Sequence, residues 1–207
     1  MPQQLALVVI DLQNSYFEEP ALAAVRDDLV ARVNELIRAA RAGGCPVVLA
    51  RTEHARDRST WTLNMLEDDE GFAFPGTAQA ELLDGLDTAG GIDVVKTRDS
   101  AFHGTRLREV LRERDVGEVL LCGVSTHSCI AQSATTAFAE NLHAAVARDA
   151  VASEAPELAA AMLDFLDDEM RQPILQQDDA VAVLRRGTLA AERPDESFEE
   201  RDDDAAP

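Results

Sequence analysis

Short apolar runs alternate along the chain with longer segments of helical periodicity. The apolar runs predict buried strands, because strands covered on both faces have near-continuous hydrophobic sequences. They cover residues 5–11, 46–51, 92–97, 118–124, 144–150 and 173–177. Strands that alternate with helices imply βαβ crossovers and a mostly parallel sheet. We therefore predict an α/β fold, a three-layer α/β/α sandwich around a mostly parallel, six-stranded, Rossmann-like sheet.

Helices are predicted in the segments that separate and follow these strands. The clearest spans 26–44, with one apolar face and Gly43 as its stop signal. The other helices are predicted at 105–115, 128–141, 155–170 and 178–186. The alternation indicates one domain over residues 1–188.

Two segments depart from the alternation. Residues 53–76 form a long irregular insertion that carries the only Trp, and long loops of this kind are often functional. Residues 189–207 have the acidic composition of a flexible C-terminal tail.

The charge of the chain narrows the classes of partner. Among 207 residues, 39 are acidic and 19 basic, for a formal net charge of −20. Such a field repels nucleic acid and anionic membranes, so we expect neither as a partner. Because there is no secretory signal and no apolar run long enough to cross a bilayer, we expect a cytoplasmic protein.

Lysine is nearly absent, since Lys96 is the only lysine beside 18 arginines. The acidic, lysine-poor composition favours a halophilic protein, whose carboxylates keep its surface hydrated in a salt-loaded cytoplasm. GC-biased codon usage is the alternative explanation. In either case the retention of one lysine makes its position informative.

Chemically capable side chains follow three of the predicted strands. The first strand ends at Asp11, the third at Lys96, and the fourth leads through "GVSTHSC" to a helix that begins near Cys129. Ligands of open parallel sheets bind beyond the carboxyl ends of the strands. We therefore expect a carboxylate, an ammonium and a thiol to meet at one edge of the sheet.

The thiol is a candidate nucleophile. The positive end of a helix dipole favours the thiolate of Cys129, and free N–H groups at a helix start can hold an oxyanion. The alternative is that Cys129 is a small buried hydrophobe, an interpretation that suits Cys45 and Cys122 better. Three cysteines without a CxxC pair predict neither a disulfide framework nor a structural zinc site. His127 precedes the thiol by two residues, and we interpret it as a bystander or a pocket-lining residue.

Asp11 and Lys96 admit two interpretations. A simple ion pair could brace two strand ends, but arginine would serve such a brace as well as lysine. A compact ammonium, whose proton affinity responds to its neighbours, favours a catalytic site instead.

Three segments in this order resemble the isochorismatase-like cysteine hydrolase superfamily. They are "VVIDLQNSYF", "VVKTRDSAFHGTRL" and "LLCGVSTHSCIAQSATTAFAENLHAAVARDAVAS", and the resemblance extends to about residue 177. The superfamily includes nicotinamidases, N-carbamoylsarcosine amidohydrolase, ureidoacrylate amidohydrolase and isochorismatase. Its members commonly form dimers or tetramers, so the resemblance implies a homo-oligomer.

The resemblance also implies roles for individual residues. Asp11 matches the general base, Lys96 the lysine and Cys129 the nucleophile of the superfamily. A non-proline cis peptide is expected at Val124–Ser125, with the N–H groups of Ser125 and Cys129 as the oxyanion hole. From their positions after the Asp11 strand and in the long insertion, and not from the resemblance, Tyr16, Phe17 and Trp61 are expected to line the substrate pocket.

Nicotinamidases carry a metal site with a D-x-H motif after the second strand and two further histidines. Here Thr52 replaces the aspartate and only His54 matches, while residues 55–102 contain no histidine. We therefore expect no metal and no other cofactor, and no nicotinamidase activity.

The predicted function is hydrolysis of a small amide, carbamoyl or ureido compound through a thioester on Cys129. One alternative is isochorismatase-type ether hydrolysis, and another is a catalytically inactive protein that binds a small ligand. A dinucleotide-binding oxidoreductase is disfavoured because no G-x-G-x-x-G follows the first strand.

Overall fold

The computed structural model describes residues 4–190 and contains one six-stranded sheet. Its strands are β1 (Gln4–Ile10), β2 (Val47–Thr52), β3 (Ile92–Lys96), β4 (Val116–Val124), β5 (His143–Ala152) and β6 (Ile174–Leu175). The strand order is β3-β2-β1-β4-β5-β6, and every neighbouring pair is parallel. The chain winds outward from β1 to β3 and then returns to β4, so the order reverses between β1 and β4. The predicted fold class is confirmed, and the reversal marks the edge where ligands of such sheets bind.

Helices cover both faces of this sheet. Within the described residues they are α1 (Pro20–Ala23), α2 (Arg26–Ala42), α3 (Leu63–Asp68), α4 (Leu107–Arg112), α5 (Ala131–Ala139), α6 (Pro156–Asp168) and α7 (Gln177–Arg186). Helices α2 and α7 pack on one face, and α4, α5 and α6 pack on the other. The result is the predicted three-layer sandwich.

Strand β1 shows why the sequence is apolar without alternation. Leu5, Leu7 and Val9 belong to the core beneath α2 and α7. The intervening Ala6, Val8 and Ile10 belong to the core beneath α4 to α6. Because successive side chains of a strand point to opposite faces, a strand between two helical layers must be apolar at every position.

Several boundaries differ from the sequence predictions. The helix predicted at 128–141 begins with a single π-helical turn, Thr126–Ile130, in which the Ile130 N–H donates to the Ser125 carbonyl at 3.2 Å. The last strand has only two residues, and the insertion contains the short helix α3. The predicted tail lies outside the described residues from position 191 onward. No helix in the described part of the chain combines the length and apolar character needed to span a membrane.

Candidate active site

The structure brings Asp11, Lys96 and Cys129 together at the carboxyl edge of the sheet. The Lys96 Nζ lies 2.7 Å from Asp11 Oδ2 and 3.5 Å from Cys129 Sγ. Asp11 is fully buried, and Lys96 and Cys129 are only 1% and 3% exposed. The expected meeting of a carboxylate, an ammonium and a thiol is therefore present, in a site largely closed to solvent.

The ends of β1 and β4 approach closely enough to form this site. Gly123 pairs with Ile10 and has φ of 115°, and a Cβ added to it would lie 2.0 Å from the Ile10 carbonyl oxygen. Only glycine can therefore occupy this position. Asp11 turns out of β1 with φ of 54°, a left-handed conformation that Asp tolerates better than most residues. The Val124–Ser125 peptide is cis, as the resemblance implied.

Lys96 is held as an ammonium by its neighbours. Burial alone lowers the pKa of a lysine, but the charges of Asp11 and of an ionised Cys129 outweigh it, and the pKa of Lys96 is raised. Its Nζ also donates a hydrogen bond to the Arg98 carbonyl at 3.1 Å. The amine therefore stays charged at neutral pH and faces both the carboxylate and the sulfur.

Cys129 differs from the thiolate that its position near a helix start predicts. Burial raises the pKa of the Cys129 thiol, and the negative charge of Asp11 raises it further, while Lys96 opposes both only in part. The thiol therefore rests in its protonated form. Because a thiol must lose its proton to act as a nucleophile, the site needs a base, and the Asp11 carboxylate is adjacent.

Asp11 Oδ1 has a partner that the sequence analysis missed. The Thr52 hydroxyl donates to Asp11 Oδ1 at 2.9 Å, and the Tyr16 hydroxyl donates to Thr52 Oγ1 at 2.9 Å. The sequence identified Thr52 only as the residue that replaces a metal-binding aspartate. The available signal was a hydroxyl residue at the end of a strand next to the one that ends at Asp11.

A second polar cluster surrounds Ser125. The Ser125 hydroxyl donates to Glu154 Oε2 at 2.7 Å. His127 Nδ1 lies 2.8 Å from Ser153 Oγ, and its Nε2 lies 3.6 Å from Glu154 Oε1. Both ring nitrogens of His127 thus face the segment that follows β5, which suits a bystander to the thiol. Glu154 was not identified from the sequence, because nothing in its local pattern distinguishes it from other surface carboxylates.

The predicted pocket residues have different surroundings. Tyr16 meets Phe72 edge-on at 5.9 Å between ring centroids. Trp61 lies in the insertion and lines a depression of about 400 Å³ together with Arg98, whose carbonyl accepts from Lys96. Phe17 packs into the core beneath α2 and is 8% exposed, so its placement does not support a role in the pocket.

The residues present do not fit a nicotinamidase-type metal site. Thr52 offers a hydroxyl that already contacts Asp11 and Tyr16. His54 Nδ1 faces the Thr60 carbonyl at 3.1 Å. Among residues 4–190, no three His, Cys, Asp or Glu side chains are grouped as metal ligands would be.

The fold and the site define an α/β protein with a buried Asp–Lys–Cys cluster at the switch point of a parallel sheet. Residues 5–178 match the Isochorismatase domain. The chain therefore belongs to the isochorismatase family, an isochorismatase-like group of hydrolases, and the resemblance found in its sequence is confirmed.

The chain is similar in sequence or in structure to several other proteins. The "Probable inactive nicotinamidase" of Arabidopsis thaliana is 34% identical over 182 residues, which cover 83% of this chain and 93% of that protein. The ureidoacrylate amidohydrolase RutB of Rhizobium rhizogenes is 27% identical over 161 residues, covering 66% of this chain and 65% of that protein. The crystal structure of an isochorismatase family protein from Desulfovibrio vulgaris has a TM-score of 0.78 at 30% identity and covers 89% of this chain and all of that one. Amidohydrolases are thus among the relatives.

Proposed function

We propose that this protein is a cysteine hydrolase that cleaves the C–N bond of a small amide, carbamoyl or ureido compound through a Cys129 thioester. The observation that carries the proposal is the buried contact of Lys96 Nζ with both Asp11 Oδ2 and Cys129 Sγ, at 2.7 and 3.5 Å. A brace between strand ends would need only the carboxylate and the ammonium. The thiol beside them provides a nucleophile next to a base and a cation. The similarity to a ureidoacrylate amidohydrolase supports the substrate class.

The first half of the reaction forms the thioester. Asp11 accepts the Sγ proton of Cys129 while Lys96 stabilises the negative charge on the sulfur. The sulfur attacks the substrate carbonyl carbon, and the N–H groups of Ser125 and Cys129 hold the resulting oxyanion. The C–N bond then breaks, Asp11 returns its proton to the departing nitrogen, and the acyl group remains on Cys129.

The second half releases the product. A water molecule takes the place of the amine, and Asp11 accepts a proton from it as its oxygen attacks the thioester carbon. The C–S bond breaks, the carboxylic or carbamic acid leaves, and the proton on Asp11 returns to Cys129. The enzyme regains its starting protonation without a metal or cofactor.

The need for a compact ammonium explains the single lysine. Lys96 is 1% exposed and its Nζ contacts a carboxylate, a sulfur and a backbone carbonyl at once. A planar guanidinium is larger and would overpack this position.

The proposal includes a small-molecule substrate and a homo-oligomer, either a dimer or a tetramer, in a salt-loaded cytoplasm. Apolar side chains exposed on α5 and α6 support association of subunits. They are Phe138 (51% exposed), Leu158 (49%) and Phe165 (41%). Leu158 and Phe165 share one face of α6 by their spacing, and exposed apolar faces are a common mark of interaction surfaces.

The decisive experiment measures ammonia release from small amides, carbamoyl compounds and ureido acids, at low salt and in molar KCl. It compares the wild type with Cys129→Ala and with Cys45→Ala, a control that removes another buried thiol. We expect release by the wild type and by Cys45→Ala, none by Cys129→Ala, and an acyl adduct on Cys129 after acid quench.

Other outcomes would contradict the proposal. Equal release by Cys129→Ala would exclude the thioester route. Cleavage of a vinyl ether without ammonia release would support isochorismatase-type hydrolysis. Binding of these compounds without turnover would support an inactive ligand-binding protein, the alternative favoured by the name of the Arabidopsis relative.

A further inference from the structure

We propose that the hydrogen bonds from Tyr16 to Thr52 and from Thr52 to Asp11, together called the hydroxyl relay, hold the Asp11 carboxylate in one orientation. In this orientation Oδ2 is the oxygen that receives the Cys129 proton. This inference rests on the proposed function, because it takes Asp11 as the base. Tyr16 and Thr52 are positioning residues, since they act through Asp11.

The hydrogen bonds that link Tyr16, Thr52 and Asp11 can have only one donor-to-acceptor direction. An ionised carboxylate can only accept, so the single proton of the Thr52 hydroxyl points to Asp11 Oδ1 across 2.9 Å. The Thr52 oxygen then accepts from the Tyr16 hydroxyl at 2.9 Å. Burial and the negative charges of Asp11 and Cys129 raise the pKa of Tyr16 well above its usual value, so Tyr16 remains a donor throughout the working pH range.

The middle group of the relay is fixed by its backbone. Thr52 is the last residue of β2 and pairs with Lys96 of β3. The fully buried Gln13 side chain accepts from the Thr52 N–H at 2.6 Å and donates to the Thr52 carbonyl at 2.8 Å. The Gln13 amide also donates to the Ala80 carbonyl at 2.8 Å. With both of its backbone groups engaged, Thr52 presents its hydroxyl from a rigid position.

The two oxygens of Asp11 are thereby distinguished. Oδ1 accepts the Thr52 hydrogen bond, whereas among residues 4–190 the buried Oδ2 faces the Lys96 ammonium and no hydroxyl. Oδ2 lies 2.7 Å from Lys96 Nζ, which itself lies 3.5 Å from the Cys129 sulfur. The oxygen beside the ammonium that contacts the sulfur is therefore the one that the Thr52 hydroxyl does not occupy. The titratable groups around Asp11 are Lys96, Cys129, Tyr16 and His54, and the charge of Asp99 acts on the first three of these.

The kinetic test uses a matched pair of variants. Thr52→Val removes the hydroxyl and keeps the branched shape, whereas Thr52→Ser keeps the hydroxyl. Since a hydrogen bond to a charged group is at stake, we expect Thr52→Val to lower kcat by about tenfold to hundredfold and to change KM by less than about twofold. Thr52→Ser should recover most of this loss, and Tyr16→Phe should lower kcat by roughly threefold to tenfold.

A second measurement needs no substrate and separates this inference from the proposed function. The ¹³C signal of the Asp11 carboxyl, assigned with Asp11→Asn, is followed against pH in the wild type and in both Thr52 variants. Loss of a donor disfavours the ionised carboxylate, so in Thr52→Val the protonation should occur about one pH unit higher than in the wild type or in Thr52→Ser. Near-ultraviolet circular dichroism verifies that each variant is folded.

Two results would overturn the relay. One is a Thr52→Val carboxyl that titrates at the same pH as that of the wild type. The other is a Thr52→Ser carboxyl whose titration shifts as far as that of Thr52→Val, because the shift would then come from altered packing and not from loss of the hydroxyl. If the carboxyl behaves as expected and no substrate is hydrolysed, the relay stands and the proposed function fails.

Discussion

Replacement of Lys96 by Met should destabilise the protein through the charge that remains behind. Met is close to Lys in length and suits the apolar part of the site, but it has no charge. In the variant the fully buried Asp11 would keep its Thr52 hydrogen bond and lose the ammonium 2.7 Å from Oδ2. Breaking a buried ion pair by removing one partner costs roughly 3–5 kcal/mol, because a buried charge is left uncompensated. We therefore expect a loss of this size in the free energy of unfolding at pH 7.

The loss should depend on pH in a defined direction. The folded pKa of Lys96 is raised, so its contribution is complete below the unfolded lysine pKa of about 10.4 and is lost as the pH rises through the folded value. The difference in the free energy of unfolding between the wild type and Lys96→Met should therefore become smaller in strong alkali.

Urea titrations of three variants test this argument. The double variant Lys96→Met, Asp11→Asn has no buried charge and should recover at least half of the loss. Arg32→Met removes an exposed pair, whose Arg32 and Asp28 side chains are 39% and 73% exposed, and should leave the free energy of unfolding close to that of the wild type. Two results would contradict the expected cost of an uncompensated buried charge. One is a fall of less than about 1 kcal/mol in the free energy of unfolding of Lys96→Met, and the other is a double variant as unstable as the single one.

Two further predictions concern the thiols and the sheet. Although burial keeps its thiol protonated at rest, Cys129 should react with iodoacetamide near neutral pH about tenfold faster than Cys45 or Cys122, because only Cys129 has both a carboxylate that can take the proton and an ammonium that stabilises the sulfur. Peptide mass spectrometry measures this, and uniform labelling would contradict it. Gly123→Ala should lower the free energy of unfolding by more than about 3 kcal/mol, because its Cβ would lie 2.0 Å from the Ile10 oxygen; a melting temperature close to that of the wild type would contradict it.

Element types were predictable because they follow from local patterns. A run of apolar residues or a helical period is visible within one segment of the chain. The predictions were less accurate where tertiary packing sets the first and last residues of an element. The last strand was predicted at 173–177 and pairs over Ile174–Leu175 alone, where it forms the edge of the sheet.

The residues of the predicted site also divide into those visible from local sequence and those set by tertiary packing. Asp11, Lys96 and Cys129 could be located because each follows from a strand end. Tyr16 and Phe17 were both assigned to the pocket, yet Tyr16 reaches Thr52 whereas Phe17 joins the core. Both side chains contact the core beneath α2, and composition alone does not tell that the Tyr16 hydroxyl also reaches Thr52.

The sequence by itself determined the α/β class, the three strand ends that bear chemical groups, and the family that the chain joins. Only the tertiary structure decided that the pKa of the Cys129 thiol is raised, because burial and the Asp11 carboxylate together outweigh the effect of Lys96. It alone decided that the Thr52 hydroxyl donates to Asp11, 41 residues away along the chain. The physical reason is that strand register and desolvation arise from segments distant in sequence, whereas strand and helix patterns are local.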